Sequence, residues 1–281
     1  MFIDSYDGHC LVATDSKDIV LTNCFYQANA PFVDPQGVRH PSSGVVLREG
    51  SSAWIWNTAA RGSHGFPLSV PAVDLLPGGD AVFVSDSTLH GFSSGWSGGT
   101  GNSVNLGGCQ VAAPGGAALR VEVSGGPAPL VVLQQGVLAA GSAGFTQTSC
   151  ATPPPVTQAI EAPAGTVQSQ FGKARLLQVP GNPTEAGMVR VELLGGSNDV
   201  FALFVAAGVV SPTPLPNFIN PMWIDPSTAQ LMRLGSLNAF GAATFDVDVS
   251  NLPPLWVEVQ AALFATDNSQ WLTNPKALFI H

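Results

Sequence analysis

Short apolar bursts, separated by small polar corners, recur through the first half of the chain. They come in pairs, and the second burst of each pair ends on a polar residue, at Thr22, Asn57, Ser85 and Gln134. These end points lie 35, 28 and 49 residues apart. The last interval is about twice a coil of about 20–30 residues, a period typical of repeat proteins. The pattern therefore predicts short strands stacked coil upon coil.

Longer excursions separate the pairs, and a solenoid tolerates them because each coil contacts only its neighbours. The four pairs span residues 10–22, 45–57, 72–85 and 118–134. Polar residues follow the bursts at a corresponding corner, and in a stack of coils they would form a hydrogen-bonded ladder. Ordinary turn residues are the alternative interpretation. The candidates for this ladder are Asn23, Thr58, Asp86 and Gln135.

The paired bursts resemble the right-handed parallel β-helix proteins of the pectate-lyase-like superfamily. Residues 87–91 and 136–141 follow their bursts in matching positions and extend this resemblance over about half of the chain. The resemblance implies an architecture and leaves the activity open, because that superfamily includes lyases, hydrolases, tailspikes and adhesins. We therefore expect residues 1–150 to form a short right-handed parallel β-helix.

The repeat stops at three consecutive prolines, which favour a stiff linker over a central strand. We place a Pro-rich linker at residues 151–155 and a second domain at residues 156–281. Apolar and polar residues alternate strictly in 245–249 and 256–260, as in strands with one wet face. Short strands between frequent turns predict a β-sandwich-like C-terminal module. The expected fold class is thus all-β throughout.

The end of the chain resembles the C-terminal module of uncharacterised exported proteins of planctomycete-type bacteria. Gln260, Asp267 and Asn274 carry this resemblance, within segments that begin at Trp223, Thr244, Leu255 and Trp271. It implies export and a surface or secreted role, and no activity is attached to that module.

Composition narrows the function classes. Charged residues make up 10% of the chain, against about 25% in typical domains. The formal net charge of −9 disfavours phosphate neutralisation and hence nucleic-acid binding. No apolar run approaches the roughly 20 residues that span a bilayer, so membrane insertion is not expected. The glycine- and proline-rich composition, with only 10 Lys and Arg, suits an exported protein.

The N-terminus has neither the basic start nor the apolar run of a signal peptide. Since the chain also begins inside a repeat, we expect an N-terminally incomplete β-helix. Its uncapped first coil would favour self-association. The four cysteines, Cys10, Cys24, Cys109 and Cys150, fit no zinc spacing. Disulfide pairing and buried thiols both remain open for them, with buried thiols favoured for Cys10 and Cys24.

Candidate catalytic residues are dispersed along the chain. A polysaccharide lyase needs carboxylates for Ca²⁺ and a strong base. The candidates are Arg48 and Arg120 with Asp15, Asp18, Asp74, Asp80 and Asp86. No cluster of acids appears among them, so solvated turn carboxylates are the favoured interpretation. Asp246 and Asp248 share a strand face and are the candidate ligands for Ca²⁺, although solvated surface carboxylates again explain them more simply.

Aromatic residues offer a binding alternative. Trp54 and Trp56 lie two apart and share a strand face, and Trp96 lies beside a later burst. If these rings point outward they form a platform for sugar rings, and if inward they belong to the core. The sequence thus favours a non-catalytic exported or cell-surface scaffold that contacts polysaccharide or a cell-surface glycan. The alternatives are a truncated polysaccharide lyase or glycoside hydrolase, and a phage or virion structural protein.

Overall fold

The paired bursts fold into the coils of a parallel β-solenoid. The computed structural model describes residues 8–29, 31–65, 75–106, 108–145, 156–170, 172–180, 187–250 and 255–280. These residues form an all-β chain in which no α-helix occurs, and none of them builds a helix that could cross a membrane. The chain divides into two units, Met1–Phe171 and Gly172–His281.

In the first unit the described strands are, in chain order, β1 (Leu11–Thr14), β2 (Ile19–Thr22), β3 (Phe25–Gln27), β4 (Phe32–Val33), β5 (Arg39–His40), β6 (Val45–Arg48), β7 (Ser52–Trp56), β8 (Ala59–Arg61), β9 (Val82–Ser85), β10 (Thr88–Phe92), β11 (Gly95–Ser97), β12 (Ser103–Leu106), β13 (Cys109–Ala112), β14 (Leu119–Glu122), β15 (Leu130–Gln134), β16 (Val137–Ala139), β17 (Ile160–Glu161) and β18 (Val167–Gln170).

Three parallel sheets run along the solenoid. Sheet A has the order β1-β6-β9-β14-β17, sheet B the order β18-β15-β10-β7-β2, and sheet C the order β16-β11-β8-β3. Each full coil contributes one strand to every sheet, and about four coils stack in this way. Two excursions form antiparallel hairpins, β4–β5 and β12–β13. The predicted parallel β-helix is therefore confirmed.

The repeat has a different phase from the one predicted. Thr22 pairs with Trp56, Trp56 with Phe92, and Phe92 with Gln134, at intervals of 34, 36 and 42 residues. The prediction of a coil of about 20–30 residues was too short. Ser85 ends β9, which is the first strand of its coil and pairs with β6. The third burst pair was thus assigned one strand out of register, because equally short apolar bursts look alike in sequence.

Left-handed residues mark the corner between sheets B and C. Asn23, Asn57, Ser93 and Gln135 all have positive φ, between 44° and 55°. The Asn57 side-chain amide donates to Asn23 Oδ1 at 2.8 Å, which links the first two coils at this corner as the predicted ladder requires. Of the predicted ladder residues, Asn23 and Gln135 occupy this corner. Thr58 follows it by one residue, and Asp86 lies at the corner between sheets A and B.

Alternate side chains of the three sheets point inward and form one apolar core. Leu47, Ile55, Val84, Leu89 and Leu119 are fully buried in it. Because coils stack in register, each inward residue packs on its counterpart in the next coil, which buries it without requiring a helix or a second layer.

Glycine-rich arms connect the coils. The chain leaves sheet C along residues 62–65, 98–102 and 141–144, and returns to sheet A along residues 41–44, 76–79 and 113–117. The returning and leaving arms alternate in one stack, linked by backbone hydrogen bonds of 2.8–2.9 Å. These bonds run from Ser63 to Ser42, Gly79 to Ser63, Gly99 to Gly79, Gly116 to Gly99, and Gly141 to Gly116. We refer to these six segments as the arm stack.

Close approach explains the glycines of the arm stack. A Cβ added to Gly99 would lie 1.8 Å from the Ser63 carbonyl oxygen, and one added to Gly79 would lie 1.9 Å from the Ser42 oxygen. Real Cβ atoms essentially never approach an oxygen so closely. At Gly79 and Gly99, therefore, only glycine allows the arms to hydrogen-bond side by side.

In the second unit the described strands are β19 (Leu176–Gln178), β20 (Met188–Leu194), β21 (Val200–Ala206), β22 (Val209–Thr213), β23 (Phe218–Ile219), β24 (Met222–Ile224), β25 (Gln230–Ser236), β26 (Ala242–Asp248), β27 (Leu255–Phe264), β28 (Gln270–Leu272) and β29 (Lys276–Ile280). They form a sheet β19-β20-β26, a sheet β23-β28-β27-β21-β25 with β29 also on β27, and a small β22–β24 pair. The two larger sheets share one apolar core that includes Leu193, Leu203 and Val259, as expected of a sandwich.

Two buried amide side chains fasten the end of this unit. Gln260 accepts from the Trp223 backbone N–H at 3.0 Å and donates to the Thr273 carbonyl at 2.8 Å. Asn274 bonds both the N–H and the carbonyl of Leu177, at 2.9 Å each. Since a buried polar group needs such partners, these residues of the predicted C-terminal module have a structural role here.

The predicted linker, residues 151–155, lies outside the described residues. β17 and β18 follow it in sequence and pair in parallel with β14 and β15 of the solenoid. The two units divide between Phe171 and Gly172, sixteen residues beyond the end of that linker.

Candidate binding groove

The predicted tryptophan platform lies mostly beneath the surface. Trp96 points into the solenoid core and is 2% exposed. Trp56 lies on the opposite side of sheet B from that core, yet only 1% of it is exposed. Trp54 is half-buried. The structure therefore gives a sugar platform no support at Trp56 or Trp96.

Aromatic side chains stack instead along the outer side of sheet B. The rings of Trp54 and His90 are nearly parallel with centroids 5.1 Å apart, and those of Trp56 and Phe92 lie 5.2 Å apart. The register of β7 and β10 places both pairs opposite each other. Burial lowers the pKa of His90 to about 4, so its ring is neutral at neutral pH.

Both candidate Ca²⁺ ligands, Asp246 and Asp248, interact with other groups of the protein. Asp246 pairs with Arg190 at 3.2 Å, and Asp248 accepts hydrogen bonds from the backbone and hydroxyl of Ser250. Within the described ranges, no group of three or more His, Cys, Asp or Glu side chains is placed to hold a metal ion. The geometry thus offers no support for a site at Asp246 and Asp248.

The scattered lyase candidates divide into two sets. Asp15, Asp18 and Asp86 occupy left-handed turn positions, and Asp86 is buried with its carboxylate accepting from the Ser124 N–H at 2.8 Å. Asp74 lies outside the described residues. Asp80, Arg48 and Arg120, in contrast, meet on the outer side of sheet A.

These three residues line an open groove of about 630 Å³. Its floor is the row Val46, Phe83, Arg120 and Glu161, which the parallel register places on successive strands. The residues on either side of Val46, Phe83 and Arg120 belong to the core, and Ile160 beside Glu161 packs against it. This alternation directs the floor side chains outward. Prolines at the edge of the arm stack and the β4–β5 hairpin also line the groove.

Arg120 is the centre of an ion network in this groove. Its Nε lies 2.6 Å from Asp80 Oδ2, and its Nη1 lies 2.7 Å from Glu161 Oε2. Asp80 Oδ1 also accepts from the Ala117 N–H at 2.8 Å, which fixes the carboxylate. Burial acts to lower the pKa of Arg120, but the hydrogen bond to Asp80 and the nearby carboxylates outweigh it and raise that pKa. Arg120 therefore stays protonated.

Arg48 has a different environment. Its guanidinium lies over the Phe83 ring, 5.8 Å from the centroid. In the part of the chain that the structure describes, Arg48 forms no ion pair, so its N–H donors remain open to the groove. The groove thus combines an aromatic ring, a free guanidinium and a fixed carboxylate cluster.

The β4–β5 hairpin contributes planar groups to the same groove. His40 Nε2 contacts Asp34 Oδ2 at 2.9 Å, and the His40 ring stacks on Phe32 with centroids 5.0 Å apart. The hydrogen bond with His40 lowers the pKa of Asp34. His9 Nδ1 accepts from the Ser43 N–H at 2.8 Å, which links the hairpin side of the groove to the returning arm.

No model of a known protein family matches the chain, and no curated protein sequence does.

The groove residues must therefore be interpreted from their own chemistry. Fixed carboxylates and guanidinium groups bind hydroxyls in defined directions, and aromatic rings pack against apolar faces. Sequence reasoning singled out Arg48, Arg120 and Asp80 but missed Glu161 and His40. A correct assignment of the first strand of each coil would have aligned Glu161 with Arg120. No sequence pattern, in contrast, predicts the hairpin that carries His40.

The cysteines occupy two states. Cys10 and Cys24 are free thiols, as favoured from the sequence, but both are half-buried and not fully buried as expected. Cys109, on β13, is disulfide-bonded. Cys150 lies outside the described residues.

Proposed function

We propose that this protein is a non-catalytic exported or cell-surface scaffold that binds polysaccharide in the groove on sheet A. The observation that carries the proposal is the lining of this groove, where Arg48 and Phe83 lie beside the Asp80–Arg120–Glu161 network. A sugar ring has an apolar C–H face and a rim of hydroxyls. Phe83 suits the face, while the carboxylates and the Arg48 guanidinium suit the hydroxyls.

The charges of the groove favour a neutral glycan. Two guanidinium groups, those of Arg48 and Arg120, face the carboxylates of Asp80, Glu122 and Glu161. An acidic polysaccharide would bring more negative charge to a surface where carboxylates already balance the cations. Hydroxyl groups, which both donate and accept, avoid this repulsion.

A role without catalysis agrees with the state of Arg120. A lyase would need a base able to lose its proton at the operating pH. The carboxylates around Arg120 raise its pKa and hold the proton on the guanidinium. The same ion pairs hold the Arg120 side chain in one position before a ligand binds. Binding therefore costs less side-chain ordering.

Export is supported by the disulfide at Cys109. Disulfides persist in oxidising compartments and are rare in the cytosol. The stacked coils also suit a surface role, because each coil supports the next and presents its outer sheet as a continuous face.

Affinity electrophoresis of the whole chain tests the proposal. The protein is run through native gels that contain soluble neutral or acidic polysaccharides, with and without Ca²⁺, and unsaturated and reducing products are assayed in parallel. The Arg48→Ala/Phe83→Ala variant is compared with Arg61→Ala/Phe25→Ala. This second pair makes a similar contact on sheet C, with the guanidinium 5.6 Å from the ring centroid, and is thus a matched control.

We expect a neutral polysaccharide to retard the protein, and the Arg48/Phe83 variant to bind at least tenfold more weakly than the Arg61/Phe25 control. Equal binding by both variants would contradict the groove. Release of unsaturated or reducing products would favour the enzyme alternative. An absence of retardation together with a stable trimer would favour the virion alternative.

A further inference from the structure

An exposed aromatic pair lies on the outer side of the sandwich unit. β27 and β29 place Trp256 opposite Phe279, and the two rings have centroids 5.1 Å apart at an angle of 46°. Trp256 is 65% exposed and Phe279 is 39% exposed. Val257, the next residue along β27, is buried in the sandwich core, so the Trp256 side chain points outward. Large apolar rings in this position indicate a contact surface.

The Glu258 carboxylate lies on the same strand as Trp256. Glu258 is two residues beyond Trp256 and therefore on the same side of β27. It is half-buried, and burial raises its pKa. Across the described ranges of the chain, no hydrogen bond or ion pair engages its carboxylate. A partly desolvated carboxylate without a donor is costly, and a bound ligand with donor groups would relieve that cost.

Space is left on one side of the carboxylate. Ala277, which is exposed, lies opposite Glu258 on β29, whereas Ala206, opposite it on β21, is buried. At Gly208, just past the end of β21, an added Cβ would meet no atom within 4 Å. The Trp256 ring and the Glu258 carboxylate therefore border an open, shallow surface.

We propose that Trp256, Phe279 and Glu258 form a second site, which binds one sugar residue of a neutral glycan. The apolar face of the sugar packs on the indole ring, and its hydroxyls donate to the Glu258 carboxylate. The two-residue spacing along β27 separates the two groups by about 7 Å, which a single sugar residue spans. This site belongs to the sandwich unit and is independent of the groove on sheet A.

The Glu258 carboxylate indicates which class of ligand this site binds. An apolar protein surface docked on Trp256 would bury Glu258 further without supplying a donor, and this desolvation opposes binding. An acidic ligand would add repulsion. A hydroxyl-rich ring meets both the aromatic and the acidic group at once.

Tryptophan quenching by iodide tests this site in the whole chain. Of the six tryptophans, Trp256 is exposed and Trp54 is half-buried, whereas Trp56, Trp96, Trp223 and Trp271 are buried. Iodide therefore quenches Trp256 preferentially. Hexasaccharides of glucose, mannose and xylose serve as probes, and affinity electrophoresis on the matching polysaccharides gives relative dissociation constants.

We expect one of these probes to protect Trp256 from iodide, and Trp256→Ala to weaken binding to the matching polysaccharide about tenfold. Trp256→Phe should retain part of the affinity, and Glu258→Gln should lose severalfold. Phe240→Ala, at an 86% exposed ring in a turn, is the control for loss of an exposed aromatic and should bind as the parent does.

Two results would overturn the proposal: no protection by any probe, or unchanged binding by the Trp256→Ala and Glu258→Gln variants. The Arg48/Phe83 variant separates this site from the groove. If that variant binds normally while Trp256→Ala does not, the groove fails and the sandwich site stands. The reverse result rejects the sandwich site alone.

Discussion

Replacement of Gly99 by alanine tests whether close packing of the arm stack stabilises the solenoid. The new Cβ would lie 1.8 Å from the Ser63 carbonyl oxygen and 2.5 Å from its carbon. An ordinary contact begins at 3.4 Å, so the neighbouring arm must move by roughly 1.5 Å. No side chain on either arm can absorb this movement, because both colliding atoms belong to the backbone.

The cost has two parts. Overpacking of this kind costs about 1–3 kcal/mol. The shift also strains the hydrogen bonds from Gly99 N–H to the Gly79 carbonyl and from Gly116 N–H to the Gly99 carbonyl, both 2.8 Å, and a buried hydrogen bond contributes about 1 kcal/mol. Gly99→Ala should therefore lower the free energy of unfolding by roughly 3–5 kcal/mol.

Urea unfolding, followed by the fluorescence of the buried tryptophans, measures this change. With a slope of about 2–3 kcal/mol per molar, the midpoint should fall by about 1–2 M. Gly95→Ala is the matched control, since Gly95 lies four residues earlier on β11 and an added Cβ would meet nothing within 4 Å. We expect this control to change stability by less than about 0.5 kcal/mol.

Equal midpoints for the two variants would refute the reasoning. Equal midpoints would mean that the arms can move apart without lowering the free energy of unfolding, and that the hydrogen bonds of the arm stack contribute little to stability.

Three further predictions concern polar groups. His90 has a folded-state pKa of about 4, below the value of about 6.5 in an unfolded chain. Only the unfolded chain gains this proton between these values, so the stability that neutral His90 provides is complete above pH 6.5 and falls by roughly 3 kcal/mol as the pH is lowered to 4. His90→Phe keeps a stacked ring and should flatten that slope in urea titrations from pH 7 to 4. Asn57→Ala should cost about 1–2 kcal/mol, because it loses the hydrogen bond to Asn23 and places alanine at φ 44°. Asn57→Gly should cost less in thermal unfolding, and the opposite order would contradict the ladder. Asn274→Ala leaves the buried N–H and carbonyl of Leu177 without partners and should cost about 3–5 kcal/mol in urea unfolding, while an effect below 1 kcal/mol would show that other groups satisfy them.

The architecture was predictable from the sequence because a solenoid repeats its apolar bursts. The coil boundaries were harder to predict. β9 and β10 are both short and apolar, and only the pairing of Val82 with Val45 shows which of them begins the coil. Periodicity alone does not distinguish two strands of the same length and composition.

The site was only partly predictable. The sequence identifies Arg48, Arg120 and Asp80 as charged residues within the repeats. Their position beside Glu161, however, depends on the register of four stacked coils. The tryptophans show the opposite difficulty. Alternation along β7 identifies Trp54 and Trp56 as sharing one side of the sheet, yet it does not reveal whether that side is exposed.

The sequence predicts that the glycine-rich excursions are loops whose length a solenoid tolerates. The ends of these loops in the arm stack are constrained, because a Cβ added to Gly79, Gly99 or Gly116 would lie less than 2 Å from neighbouring backbone. Composition showed that glycine was abundant, and only the three-dimensional stacking shows which glycines are irreplaceable.

The arm stack has a consequence for how related proteins would be recognised. It is specified by the absence of side chains at positions where neighbouring backbone leaves no room for a Cβ, among them Gly62, Gly79, Gly99, Gly116 and Gly141. The excursions that connect the arms are free of this constraint where they leave the stack. Ancestry in such a protein would persist in the spacing of its glycines long after residue identities had diverged, so a search by spacing should detect descendants that alignment does not.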